Sequence, residues 1–155
     1  DLGEDGYILD FLEAKGTDYQ GRVIRQIWSF DDGQIESTHD FIQWLFPLPL
    51  EKPSQMSRPT ITPSGENRIK ASRKAMDNMC ISQDWYLGFL SRNKDWLSNY
   101  NHNHLRITRL LKSSSIFFDV PHSENLFSRI LTLAGRDQKK IGAKALAYWS
   151  LALNH

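Results

Sequence analysis

Five of the six prolines in this 155-residue chain lie within residues 47–63, and on either side of that stretch the apolar residues recur at helical spacing. Proline fixes its own φ and lacks an amide hydrogen. A run containing Pro47, Pro49, Pro53, Pro59 and Pro63 therefore suits neither a helix interior nor a central strand. With Ser, Thr and Lys between the prolines, the stretch favours extended or turn backbone and reads as one long, flexible connector. Elsewhere no segment alternates strictly with period two and β-branched residues are sparse, so the predicted fold class is all-α. The expectation is a single domain over 1–155, with seven to eight helices and one Pro-rich irregular loop at 47–63.

The spacing places the helices. Tyr7, Ile8, Phe11 and Leu12 share one face of a short helix that Gly16 can close. Thr17 or Asp18 is positioned to cap a second helix carrying Val23, Ile24, Ile27 and Trp28, and Asp31-Asp-Gly33 reads as a turn. A third helix runs from about Ile35 or Ser37 to Phe46, turning Phe41, Ile42, Leu45 and Phe46 inward until Pro47 stops it. Thr62-Pro63 opens a helix lasting to about residue 80, and Ser82 can cap another through Leu90. Pro121 starts a helix burying Leu126, Ile130, Leu131 and Leu133, which ends near Gly135. The last helix, about 137–153, carries Ile141, Ala145, Tyr148, Trp149 and Ala152 on one stripe.

Composition excludes several classes of function. Nineteen basic and eighteen acidic residues give a net charge of +1, so no global field recruits nucleic acid or membrane. No run approaches the roughly 20 apolar residues of a membrane-spanning helix. One cysteine, Cys80, precludes an internal disulfide and any thiolate zinc cluster; on its apolar helix face it reads as a structural thiol. The opening Asp-Leu-Gly-Glu-Asp has no signal-peptide pattern. A soluble, cytoplasmic protein is expected, nuclear being an option in a eukaryote.

The region 101–113 concentrates polar chemistry. At 100° per residue, Ile107, Leu110 and Leu111 share one side of a helix. Arg106, Arg109 and Ser113 share the opposite side, flanked by Lys112. That basic stripe suits a phosphate or carboxylate ligand, or acidic partners on neighbouring helices. His102 and His104 bracket Asn103 just before it. Two histidines supply half of a metal site at most, while Asn103 can cap the helix, so no metal and no cofactor are expected. In Phe41–Phe46, Trp44 falls off the apolar stripe and must be either covered, as by the loop that follows, or available for binding. There is no phosphate-binding glycine loop and no nucleophile elbow, and no catalytic residue is assigned.

Gln43-Trp-Leu-Phe-Pro-Leu48 and Leu105-Arg-Ile-Thr-Arg-Leu-Leu-Lys112, in this order, resemble the conserved region of the opioid growth factor receptor family. Weaker likenesses are Trp85-Tyr-Leu-Gly-Phe89 and the helix of Tyr148 and Trp149, so that the resemblance covers about residues 20–153. Eukaryotic members are described as nuclear-associated receptors for an enkephalin peptide, with long acidic or repeated tails. The resemblance implies a minimal, single-domain member whose shared domain has no settled molecular activity. The expected function is a non-enzymatic binding module for a peptide, a protein or a small anionic ligand. Trp44, His102, Asn103, His104, Arg106 and Arg109 are its candidate surface. Nucleic-acid binding through Arg106, Arg109 and Lys112 is the alternative, followed by an enzyme in which His39, His102 or His104 meets a carboxylate.

Overall fold

The computed structural model describes residues 3–49 and 58–154; the middle of the expected Pro-rich connector, 50–57, lies outside the described residues. Among the described residues the secondary structure is helical with no strand, as the spacing predicts. The chain divides into two compact units, one ending at Trp85 and the other beginning at Tyr86.

The first unit holds α1 (Gly3–Leu12), α2 (Ile24–Trp28), α3 (Asp32–Ser37), α4 (Ile42–Leu45), α5 (Pro63–Ala71) and the first part of α6 (Arg73–Arg92). Ile8, Phe11 and Leu12 of α1 are fully buried with Ile24, Ile27, Ile35, Phe41, Leu45 and Ile69, and α1 packs against α4 and α5. Asp18 caps no helix, contrary to the expectation. Its Oδ1 accepts from the amides of Gln20 and Arg22, each at 2.9 Å, and so builds the tight turn that delays α2 until Ile24. The same carboxylate, with its side chain wholly buried, meets the Arg22 guanidinium at 2.7 Å, which also reaches Asp40 at 2.9 Å.

Capping chemistry explains where the predicted boundaries shift. Asp31 is an N-cap rather than part of a free turn. Its carboxylate accepts from the Gln34 amide at 2.8 Å and the Gln34 side chain returns to the Asp31 amide at 2.9 Å, a capping box that starts α3 early. The expected helix from 35 or 37 to 46 is consequently two, α3 and α4, separated by the extended Thr38. The predicted start of α5 matches: Thr62 Oγ1 accepts from the Gly65 amide, and Pro63 occupies the first turn. The helix expected to run on to residue 80 breaks at Ser72, whose backbone is extended (φ −90°, ψ 106°). Ser72 Oγ accepts from the Ala75 amide at 3.1 Å and donates to Glu13 at 2.6 Å, so it stops one helix and caps the next. Beyond it α6 continues unbroken through Ser82, where a separate start was expected.

The second unit holds the end of α6, α7 (His102–Phe117), α8 (Val120–Ala134), α9 (Gln138–Ile141) and α10 (Ala143–Ala152), with 3-10 turns at Lys94–Trp96 and Gly135–Asp137. Its core combines Tyr86, Phe89, Leu90, Trp96, Ile107, Leu110, Leu111, Leu126, Ile130 and Trp149, with α7 packed on both α8 and α10. Asn101, not Asn103, caps α7, its side chain accepting from the Asn103 amide at 2.9 Å. The expected last helix is broken at Gly142 (φ 95°, ψ 151°), a conformation that L side chains rarely adopt. A Cβ there would also lie 2.7 Å from Asn99 Oδ1.

Three stability outcomes follow. Arg22→Ala strands the buried Asp18 carboxylate and is expected to cost about 3 kcal/mol in urea unfolding; a cost below about 1 kcal/mol would show that the ion triad contributes no more than a surface pair. Gly142→Ala combines backbone strain with a clash and is expected to cost about 1–3 kcal/mol, with an unchanged melting temperature as the contrary result. The Ser72 hydroxyl, with burial opposing it and Lys15 and Lys74 assisting, holds the Glu13 carboxyl below its ordinary pKa. That stabilisation is present above the unfolded-state pKa and lost as pH falls through the folded one. Glu13→Gln should therefore cost stability at neutral pH and cost less in acid; a loss that does not depend on pH contradicts the assignment.

Candidate functional site

Trp44 lies in the first unit and is 1% exposed. The cover that the sequence left to the following loop comes, among the described residues, from aromatic rings. Tyr7, Phe11 and Tyr19 stand 5.8, 5.2 and 5.0 Å from the Trp44 ring, tilted or edge-on, the geometry aromatic quadrupoles prefer. Because α4 is only one turn long, nearly every side of it is enclosed, and its helical wheel could not single Trp44 out. Tyr7 and Tyr19 form the outer layer, about two-fifths exposed.

The other candidate residues belong to α7 in the second unit, and here the predicted basic stripe divides. Arg106 is 6% exposed, its Nη1 donating to Asn103 Oδ1 at 3.2 Å. That oxygen also accepts from the Tyr86 hydroxyl at 2.6 Å. Asn103 is thus an interior acceptor that fixes both groups, and the face opposite Ile107 and Leu110 is packed rather than presented to solvent. Arg109 and Lys112 are half-buried, and the outward residues at the start of the helix are His102 and Leu105.

His104 joins a chain of hydrogen bonds through the core. The Trp149 indole donates to the His104 carbonyl at 3.1 Å, His104 Nε2 lies 2.7 Å from the Trp96 carbonyl, and the Trp96 indole donates to the Leu90 carbonyl at 3.0 Å. A carbonyl only accepts, so His104 Nε2 is the donor in its bond to Trp96. The imidazole stands edge-on to the Trp149 ring at 5.6 Å, while still reaching the wall of an adjoining groove.

That groove, about 670 Å³, runs between the first turn of α7 and the start of α10. Asn99, Tyr100 and Asn101 form one wall with His102, His104 and Leu105; Ile141 to Ala145 and Tyr148 form the other. The volume lies within the range of ligand sites. Its apolar side chains are unusually open: Tyr100 is 92% exposed, Leu105 77% and Tyr148 54%. Within this lining Asn99 Oδ1 occupies the space that a Cβ at Gly142 would need. Among the described residues no acidic side chain lines the groove.

Sequence reasoning found two of the groove residues, His102 and His104, and missed Tyr100, Leu105, Lys144 and Tyr148. A signal existed, since Ala143, Ala147, Tyr148 and Leu151 make α10 apolar on more than its buried stripe of Trp149 and Ala152. Tyr148, expected inside, lies outside: the buried stripe of α10 is narrow, centred on Trp149 and Ala152, and leaves Tyr148 at its exposed edge.

Cys80 is half-buried on α6, and burial, with Asp84 and Asp77 adding to it, pushes its thiol above the ordinary range, which opposes a nucleophilic role. His39 is exposed in the first unit. Among the described residues no cluster of three or more His, Cys, Asp or Glu side chains could hold a metal ion, and no helix is long and apolar enough to cross a membrane.

Comparison with known proteins places this geometry in a family. Residues 11–155 match the opioid growth factor receptor conserved region. The chain is 29% identical to the rat opioid growth factor receptor over 58% of its own length and 18% of that protein's. It is 29% identical to the mouse opioid growth factor receptor-like protein 1 over 56% of the chain and 22% of the relative. The human opioid growth factor receptor is 27% identical over 84% of the chain and 22% of its own length. The chain thus spans about a fifth of the curated relatives it matches. No solved structure matches it. The two motifs, the helical fold and a match over 11–155 together make this chain a member of the opioid growth factor receptor family.

Proposed function

We propose that this chain is a non-enzymatic binding module whose site is the groove between the α7 start and α10. The observation that carries the reading is the concentration of exposed apolar side chains, Tyr100, Leu105 and Tyr148, around one concave volume of about 670 Å³. Single exposed apolar residues are ordinary on a protein surface, but several converging on a cavity mark a place where water is displaced by a partner. His102 and His104 contribute polar atoms to the same walls. Asn103 and Arg106 act beneath them, through the Tyr86–Asn103–Arg106 bonds that hold the first turn of α7.

Two further observations support the reading. The relatives bear the name of a receptor, which fits a ligand- or partner-binding role. The family match runs across both units, which favours treating the chain as one functional domain. His104 meets the Trp96 carbonyl and the Trp149 ring, and among the described residues that line the groove none is a carboxylate that could complete the proton relay of an acid/base enzyme.

Titrating a neutral and charged fragment library into the ¹⁵N-labelled protein tests the site. Backbone shifts are expected to cluster at 99–105 and 141–148. The double variant Leu105→Ser/Tyr148→Ser, altering two exposed side chains, should leave the melting temperature within a few degrees and abolish those shifts. Shifts centred elsewhere, or shifts that survive the double variant, would reject the groove as the site.

A further inference from the structure

We propose that the groove takes an acidic, amphipathic helical segment of a partner protein, an inference that rests on the groove being the binding site. The argument begins with charge. Lys144 lines the groove and Lys139 is exposed on the adjoining α9. Neither has an acidic partner among the described residues, whereas the neighbouring Lys140 is engaged by Asp137 at 3.2 Å. With no carboxylate on either wall, the complementary occupant brings its own.

Shape selects the form of that occupant. On the outer side of α10, Lys144, Tyr148 and Leu151 follow one another at helical spacing, with Tyr148 54% and Leu151 64% exposed. They form a track of about 10 Å along the axis, with Leu105 opposite on α7. A partner helix presents apolar anchors at the same three-to-four-residue interval and fits such a track as a helix in a groove. Strand addition needs a sheet edge, and the described residues contain no strand. A second copy of this chain fits poorly, because a two-fold would set the lysine-rimmed surface against itself without any carboxylate to meet it.

The experiment is a selection from a displayed library of random 15-residue peptides on the whole chain, counter-selected on Leu105→Ser/Tyr148→Ser. Groove-dependent peptides are expected to carry net negative charge and apolar residues three or four apart. A synthetic copy of one should bind the chain and lose at least ten-fold in affinity to Lys139→Glu/Lys144→Glu. Both lysines are exposed, and Glu at the start of α10 suits the helix dipole, so that variant should fold; its melting curve verifies this. Groove-dependent peptides that are neutral or basic, that lack helical spacing, or whose affinity ignores the lysine reversal overturn the acidic-helix inference and leave the binding module standing. A selection with no groove-dependent peptide overturns both.

Discussion

The second unit depends on the indole of Trp149 donating to the carbonyl of His104. Trp149 belongs to α10 and His104 to the first turn of α7, so one bond sets the register between the two helices that frame the groove. The His104 ring then passes the constraint to the 3-10 turn at Trp96, and the Trp96 indole passes it to the end of α6. Each donor in this chain is bulky and fully or nearly enclosed. An unmade bond would leave a desolvated polar group, so alternative packings of these three side chains are disfavoured.

The first unit solves the same problem with charge. Asp18 organises a turn through two amides and then draws Arg22 across to Asp40, tying the stretch before α2 to the start of α4. Over that frame lies the aromatic cluster around Trp44, with Tyr7 and Tyr19 outermost. Phe41, on the other side of α4, meets Phe30 and Trp85 edge-on at 5.7 and 5.9 Å. Aromatic residues thus surround a helix too short to be stable alone, and packing rather than propensity holds it.

Reading the chain without coordinates recovers the helical class, the stop at Pro47, the Thr62-Pro63 start and the end of α8 at Gly135, because each rests on local stereochemistry. It fails where a side chain chooses between local roles. Asp18 and Asp31 are both plausible caps, and only Asp31 has a glutamine three residues on to complete a box. Ser72 breaks a periodic apolar pattern because Glu13, distant in sequence, rewards the break. Arg106 illustrates the same limit at the candidate site. Helical spacing sets it opposite the apolar stripe, but α7 is packed on two sides, and Asn103 supplies an interior acceptor no wheel can display. The groove itself is lined from two segments distant in sequence, 99–105 and 141–148, which periodicity within one helix does not encode.

Arg58 gives the chain one further property. It is 3% exposed and donates through Nη2 to the carbonyl of Leu48, ten residues earlier, at 2.9 Å, and through Nη1 to that of Pro59 at 2.8 Å. The two ends of the Pro-rich segment are therefore clasped at its base. The entropy of closing such a segment grows only with the logarithm of its length, about 0.6 kcal/mol for each doubling. Removing the Arg58 side chain would release both ends at once and leave the Leu48 and Pro59 carbonyls without their guanidinium donor.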